Sequence, residues 1–342
     1  MKKSLLSTAM LLSACMGFSN AANAEKVTFN VIFPPNHYMR PAFQEWADDV
    51  SAATHGEVEM VFPPNSLAPP PGVMDAVRNG VADAGFVFNG FIAKSAPATL
   101  LSQMPWVHNG DSEAVSVAMW DTYQKYFSEK ESHRGVHLLS MFNLGPAVLC
   151  SVTDSPISSL EDFQKRKIWA LPGTIANTFK EMDLSVVAGP AVQAHELISR
   201  NTVDAHMGLT TETTVGFKVA PYTKSCLDMN IHMQSANFSI FFNQRLWDKL
   251  SPETQSSITN LSGAALAARL GKATNAAESQ ARKYLESQGV KFVQPPKDLL
   301  AELERASGKI EAAWVDAVSK KYGVDVDQAM KDLKTEIKNY KK

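Results

Sequence analysis

SPETQSSITNLSGAALAARLGKATNAAESQARKYLESQG, residues 251–289, is the stretch on which the fold turns. Ser251 is a helix N-cap, Pro252 takes the first helical position and Glu253 stands in the first turn, where a carboxylate is favoured. From there the chain stays rich in Ala, Leu, Gln and Lys as far as Ser287-Gln288 and stops at Gly289. The pattern predicts one helix of about 36 residues, roughly 54 Å at a rise of 1.5 Å per residue. Such a helix is unusual inside a compact domain and is of a length to bridge two lobes. Gly263 and Gly271 weaken it locally, by up to about 1 kcal/mol each.

Upstream the pattern changes to short strands and helices. Lys26 to Phe33 alternates like a half-buried strand, Pro34-Pro35 breaks it, and Pro41 to Val50 has helical spacing. Glu57 to Phe62 reads as a strand, Val73 to Asn79 as a helix and Ala82 to Phe88 as a buried strand. Strand, helix, strand, helix, strand is the order of a parallel α/β sheet. A second set begins near His137, with strands predicted over 136–142, 147–152, 167–171, 184–188 and 203–207 and helices over 174–182 and 194–199. Further helices follow from Lys297 and from Val326. The chain therefore reads as two α/β lobes.

With 342 residues, 45% hydrophobic and 20% charged, the composition is that of a globular protein with a real core, not of a disordered chain or a coiled coil. Met1-Lys2-Lys3, the apolar run 4–17 and Ala22-Asn23-Ala24 make residues 1–24 a secretory signal peptide. Leu12-Ser13-Ala14-Cys15 offers a lipoprotein processing box as a competing reading, which would tether the chain through lipid on Cys15. Cleavage after Ala24 removes two lysines and no acids, so the formal charge moves from −2 to −4. That balance offers nothing to a phosphate backbone, and nucleic acid is not an expected partner. No later apolar run is long enough to span a bilayer. Cys150 and Cys226 are left, and two thiols 76 residues apart leave their pairing open.

The sequence holds little catalytic chemistry. There is no G-x-S-x-G elbow, no phosphate-binding glycine loop and no C-x-x-C. His195-Glu196 begins like a zinc-protease box, but Ser199 stands where the second histidine belongs. His133 and His137 have metal-ligand spacing, yet Gly135 between them predicts solvent-exposed loop histidines. Asp325-Val326-Asp327 lacks the glycine and glutamate of a calcium loop. No cofactor or metal is expected, and no enzyme. What recurs is the material of a binding cleft: Phe33, Phe88 and Trp169 each fall at the carboxyl end of a predicted strand, where open α/β sheets bind ligands.

Four segments, in this order and spacing, carry a resemblance. They are Gly80-Val81-Ala82-Asp83-Ala84-Gly85; Leu160-Glu161-Asp162-Phe163 leading to Lys167-Ile168; Asn201-Thr202-Val203-Asp204-Ala205; and Asn243 with Trp247-Asp248-Lys249-Leu250-Ser251-Pro252. The chain resembles the periplasmic solute-binding subunits of tripartite ATP-independent (TRAP) transporters, the DctP type, over nearly all its length after the signal peptide. The resemblance implies an α/β, two-lobed periplasmic-binding-protein fold whose lobes are bridged by the long helix. It also implies a periplasmic location, a small solute held between closing lobes, and delivery to a small and a large membrane subunit. The lobes are expected at 25–143 with about 232–270, and at 144–231 with about 271–315, leaving 316–342 as a C-terminal helical segment.

The departures bear on the ligand. Where the family typically places an arginine after the Lys-Ile pair, to fork onto a ligand carboxylate, this chain has Trp169. The family's asparagine some 40 residues on becomes Gly208, its second basic residue falls near Pro146, and the polar position after the third strand becomes Phe88. A buried carboxylate left without its cation loses about 1.5–3 kcal/mol. A non-carboxylate ligand is therefore expected: a small amine over an aromatic face first, a neutral or aromatic solute second. Carboxylate binding through a displaced Arg40 or Lys94 comes third. The expected ligand-binding residues are Phe33, Phe88, Asn89, Asn143, Trp169, Gly208, Glu212 and His232, with His206 a further polar candidate. A ligand-sensing module for a signalling receptor is the alternative function.

Overall fold

The computed structural model describes residues 24–229 and 232–341; Cys15 and the rest of the expected signal peptide before Ala24 lie outside them. In chain order the first part runs β1 (Glu25–Asn30), α1 (Met39–Ala53), β2 (Val58–Val61), α2 (Val73–Asn79), β3 (Ala84–Phe88), α3 (Asn89–Ile92), α4 (Ser112–Tyr126) and β4 (Val136–Pro146). Next come β5 (Leu149–Ser151), α5 (Leu160–Gln164), β6 (Lys167–Ala170), α6 (Thr174–Glu181), β7 (Ser185–Ala188), α7 (Ala194–Ser199), β8 (Ala205–Met207), α8 (Thr211–Gly216) and β9 (Ser225–Leu227). The chain then returns through β10 (Ser235–Asn243), α9 (Gln244–Trp247), α10 (Pro252–Leu261), α11 (Gly263–Ser287), β11 (Lys291–Val293), α12 (Lys297–Tyr322) and α13 (Val326–Asn339).

Two sheets result, with strand orders β2-β1-β3-β10-β4 and β11-β9-β5-β8-β6-β7. Each has three parallel strands at one side, β2-β1-β3 in one and β8-β6-β7 in the other. Neither is wholly parallel. β10 runs antiparallel to β3 and β4, and β5 runs antiparallel to β8 and β9. The strand starting at Val136 thus pairs into the first sheet instead of opening the second. β10, SANFSIFFN, is buried along its whole length although its polar residues break the apolar run. Most of them are satisfied internally: Asn237 donates to the Thr99 carbonyl at 2.7 Å, and the Ser235 hydroxyl donates to the Leu144 carbonyl at 2.7 Å, while the Ser239 hydroxyl has no partner among the described residues.

The long helix spans 36 residues but is broken once. Ser262 is extended (φ −104°, ψ −150°) and Gly263 takes φ +54°. A Cβ at 263 would stand 2.9 Å from the Trp120 indole nitrogen, and the Gly263 carbonyl accepts the Ser140 hydroxyl at 2.7 Å. Glycine fits both the left-handed backbone and the close approach. Beyond the break α11 packs on α4, β4 and α1 of the first sheet's half and on α8 of the second's. No described helix is long and apolar enough to cross a membrane.

Buried apolar side chains run without interruption from Phe29, Phe43 and Phe86 in the first half, through Phe33 and Phe238, to Leu171 and Phe217 in the second. Cys150 and Cys226 are register partners on β5 and β9 and form a disulfide. α12 is one helix through residues 315 and 316, where the expected C-terminal segment begins; it packs on α6 and leads into α13, which lies on α4.

Candidate ligand-binding cleft

Loops just beyond the carboxyl ends of the parallel strands meet between the sheets. β1 leads into Ile32 and Phe33, β3 ends at Phe88 with Phe91 in the next turn, and β10 adds Ala236 and Phe238. From the other sheet come Leu171 after β6, Pro190 to Val192 after β7, Gly208 after β8, and Thr213 and Phe217 in and just after α8. They border about 500 Å³ of empty space, open solvent at the mouth included. This is the position at which open α/β sheets bind ligands. The wall carries five phenylalanines and no charged side chain; Thr213 supplies its one polar side chain.

The rings are fixed by their neighbours. Phe238 stacks on Phe142 with centroids 5.1 Å apart, and Phe33 meets Phe238 edge-on at 5.8 Å. Phe88 meets Phe91 edge-on at 5.2 Å. Gly208 takes φ +121°, and a Cβ there would lie 3.0 Å from the Leu171 amide nitrogen, so the second sheet's wall is closed by backbone.

Of the expected site residues, Phe33, Phe88 and Gly208 come together on this wall. The others do not. Trp169 is fully buried inside the second half, and its indole N–H has no hydrogen-bond partner. It lies on β6 two residues before Leu171, so both point to the same face; Leu171, beyond the strand end, reaches the pocket and Trp169 sits one pleat deeper. Asn89 starts α3 behind Phe88 and donates to the Thr99 carbonyl at 3.2 Å. Asn143 belongs to an interior network, accepting the Ser102 hydroxyl at 3.0 Å and donating to Ser235 at 3.4 Å. Glu212 lies beside His37, at 3.4 Å. His232 lines a separate, polar depression with Asp228, Glu278 and Arg282. His206, the register partner of Trp169, is fully buried with both ring nitrogens unpaired, and burial pushes its imidazole down to about 4.

The basic groups expected as substitutes are placed elsewhere. Arg40 donates to the Phe33 carbonyl at 3.0 Å and the Pro63 carbonyl at 3.1 Å, fastening the loops behind the wall, and Lys94 is exposed. His133 and His137 are not solvent-exposed: His137 stacks on Trp247 at 3.9 Å, and His133 lies 2.8 Å from the Tyr123 hydroxyl. Among the described residues no group of three or more His, Cys, Asp or Glu is placed to hold a metal ion. Phe91, Phe217, Phe238, Leu171 and Thr213 are among the lining residues that sequence reasoning missed. Phe91 had a local signal, lying three residues after Phe88 in a helical turn, and so did Leu171, the last residue of the strand predicted over 167–171.

A family model described as bacterial extracellular solute-binding protein, family 7 (DctP), matches residues 29–316. The chain belongs to the DctP family. A TRAP periplasmic solute-binding protein from Bordetella bronchiseptica, solved with bound (R)- and (S)-mandelate, superposes with a TM-score of 0.85 at 29% identity, covering 92% of this chain and 99% of that one. A TRAP solute-binding protein from Rhodoferax ferrireducens with copurified benzoate gives 0.81 at 21% identity, covering 92% and 98%. A Comamonas testosteroni protein named outer membrane transporter protein TsaT is 29% identical over 325 residues, 95% of each chain. This DctP-family chain is a periplasmic solute-binding receptor of the TRAP type, a class that binds small solutes and works with membrane subunits. Its family and fold are those of receptors, not of enzymes.

Proposed function

We propose that this receptor captures a small solute with an aromatic body between its two lobes and hands it, unchanged, to a small and a large membrane subunit. The observation that carries the ligand class is the wall of five phenylalanines without a charged side chain. An amine in this pocket would meet no carboxylate, so the wall gives no support to the amine expected from the sequence. The mandelate held by the Bordetella bronchiseptica relative makes an aromatic acid the first class to test. Its carboxylate would here be met by neutral donors rather than by an arginine, Thr213 carrying the polar side chain nearest to hand.

The lobes proposed are 25–143 with about 232–270, and 144–231 with about 271–315. Phe33, Phe88 and Gly208 are the ligand contacts retained from the sequence. Lipidation of Cys15 would add a membrane tether, and mass spectrometry of the exported protein decides it.

The test is a thermal-shift and calorimetric panel of aromatic acids, neutral aromatics, aliphatic carboxylates and aliphatic amines. A ligand at 100 times its Kd stabilises by about 2.7 kcal/mol, enough to raise the midpoint by a few degrees. Shifts from aromatic acids bear out the reading. Shifts confined to aliphatic amines or aliphatic carboxylates overturn it.

A further inference from the structure

His37 follows β1 in the first half, and Glu212 stands in the first turn of α8 in the second. Their side chains face each other across the lobe boundary, His37 Nε2 lying 3.4 Å from Glu212 Oε2. His37 Nδ1 accepts the Met39 N–H at 3.3 Å, which leaves Nε2 to carry the proton on the side of the carboxylate, within ion-pair distance but not aligned as a hydrogen bond. Both facing atoms are buried, and neither makes a hydrogen bond among the described residues. Two orphaned polar atoms, one from each half, are costly unless each answers the other.

The pair also touches the pocket wall on both sides. The His37 imidazole stacks on Phe33 with centroids 4.0 Å apart and 11° between planes, and it lies 6.3 Å from the Phe217 ring. Phe33 and Phe217 are wall residues from opposite halves. The other titratable groups facing Glu212 are Tyr38 and Glu278. Tyr38 donates to or accepts from the Thr274 hydroxyl at 3.1 Å, and the Glu278 carboxylate accepts the Glu212 N–H at 3.3 Å. Glu278 makes no contact with His37, whereas the Tyr38 ring lies against the imidazole on its own half, centroids 4.5 Å apart.

We infer that His37 and Glu212 form a latch, made when the lobes close, that ties closure to the position of the Phe33 ring; this rests on the reading of the pocket as the solute site. His37 is a positioning residue: it holds the wall against the solute and reports that position to the second half through Glu212. An occupant that displaces the Phe33 ring also displaces the imidazole and breaks the contact, so the latch discriminates solutes by the volume they place against Phe33.

The test uses three variants of the exported chain: His37→Phe, which keeps the stack and removes both Nε2 and the Nδ1 acceptor of the Met39 N–H; Glu212→Gln; and both together. With (R)-mandelate as probe, each single substitution is expected to speed dissociation about fivefold to tenfold. The double variant should be no worse than the His37 single, and the ligand-free melting midpoint of Glu212→Gln should be unchanged, while His37→Phe also loses the Met39 contact. Additive losses, unchanged dissociation, or a fall of the ligand-free midpoint in Glu212→Gln overturn the latch. If wild-type protein does not bind mandelate, the aromatic acid of the panel with the largest shift takes its place, and if none shifts the midpoint the aromatic reading fails. The latch is then decided by the distance between spin labels on the two lobes of the ligand-free protein: a smaller closed fraction in all three variants supports it, and an unchanged fraction overturns it.

Discussion

Gly271 on the long helix lies against the first residue of α4: a Cβ at 271 would stand 2.6 Å from the Ser112 carbonyl oxygen and 2.7 Å from the Glu113 amide nitrogen. The neighbouring turn fastens the same junction, with Asn275 Oδ1 accepting the Ser112 N–H at 2.8 Å and its amide donating to Asp111 at 2.7 Å. By sequence alone this glycine is a weak point, since alanine would favour the helix by about 1 kcal/mol. In the fold it is what allows the bridge to touch the first lobe.

Gly271→Ala is therefore expected to destabilise, by about 1–3 kcal/mol net, because the added methyl meets backbone that cannot turn aside. Gly308→Ala is the control. Gly308 sits inside α12 with nothing within 4 Å of its Cβ position, so alanine there should stabilise by about 0.5–1 kcal/mol. Chemical denaturation of the two variants checks both signs.

Glu278 holds α11 to the start of α8, accepting the Thr211 hydroxyl and the Thr211 and Glu212 N–H groups on one oxygen. Burial first, and the nearby Glu212 charge in addition, push its carboxyl up to about 7. Folding therefore favours the protonated form: its contribution is complete below the ordinary value of 4.5 and is lost as pH rises to about 7. The buried His108, His133 and His206 act in the opposite sense, since burial lowers each, and they take stability away as pH falls below 6.5. The expected result is read from the difference between wild type and Glu278→Gln. The variant gains relative stability as pH rises from 4.5 to 7 and keeps a constant advantage above it, measured by urea denaturation across pH.

Trp169 is a core residue with an unanswered N–H. Trp169→Phe removes that donor and is expected to leave stability within about 1 kcal/mol of wild type and solute affinity unchanged. Trp169→Ala should cost about 3–5 kcal/mol. A loss of affinity in the Phe variant without a loss of stability would return the indole to the binding site.

Cys150 and Cys226 are bonded across a separation of 76 residues within the second sheet. Constraining a loop of that length is worth about 4 kcal/mol in the unfolded chain. Reduction, or the double serine variant, is expected to lower the melting midpoint strongly. The midpoint rise produced by a bound solute should persist in the reduced protein if the bond serves stability alone.

Local sequence carried much of this structure. Pro252 after Ser251 starts a helix wherever it stands, because an N-cap hydroxyl and a proline without an N–H suit the first turn. The Val73–Asn79 and Ala194–Ser199 helices and the β6 and β7 strands follow from periodicity in the same way. Phe33 and Phe88 were legible as cleft residues because strand ends are where α/β sheets bind ligands, and Gly208 came only through the family resemblance.

What the tertiary structure decided was everything that depends on residues far apart in the chain. β10 enters the first sheet from some 150 residues beyond β3, and its buried serines and asparagines hide a strand in which Ser235 and Asn237 find their partners only after folding. The break at Gly263 is set by the Trp120 ring, the necessity of Gly271 by the α4 backbone, and the pairing of two cysteines by the neighbouring positions of β5 and β9. Trp169 illustrates the limit most plainly. Its place at a strand end was read correctly, but whether a side chain there faces solute or core depends on how far the wall in front of it extends. Leu171 and Gly208 form that wall, and a local pattern contains no information about the distance between two strands.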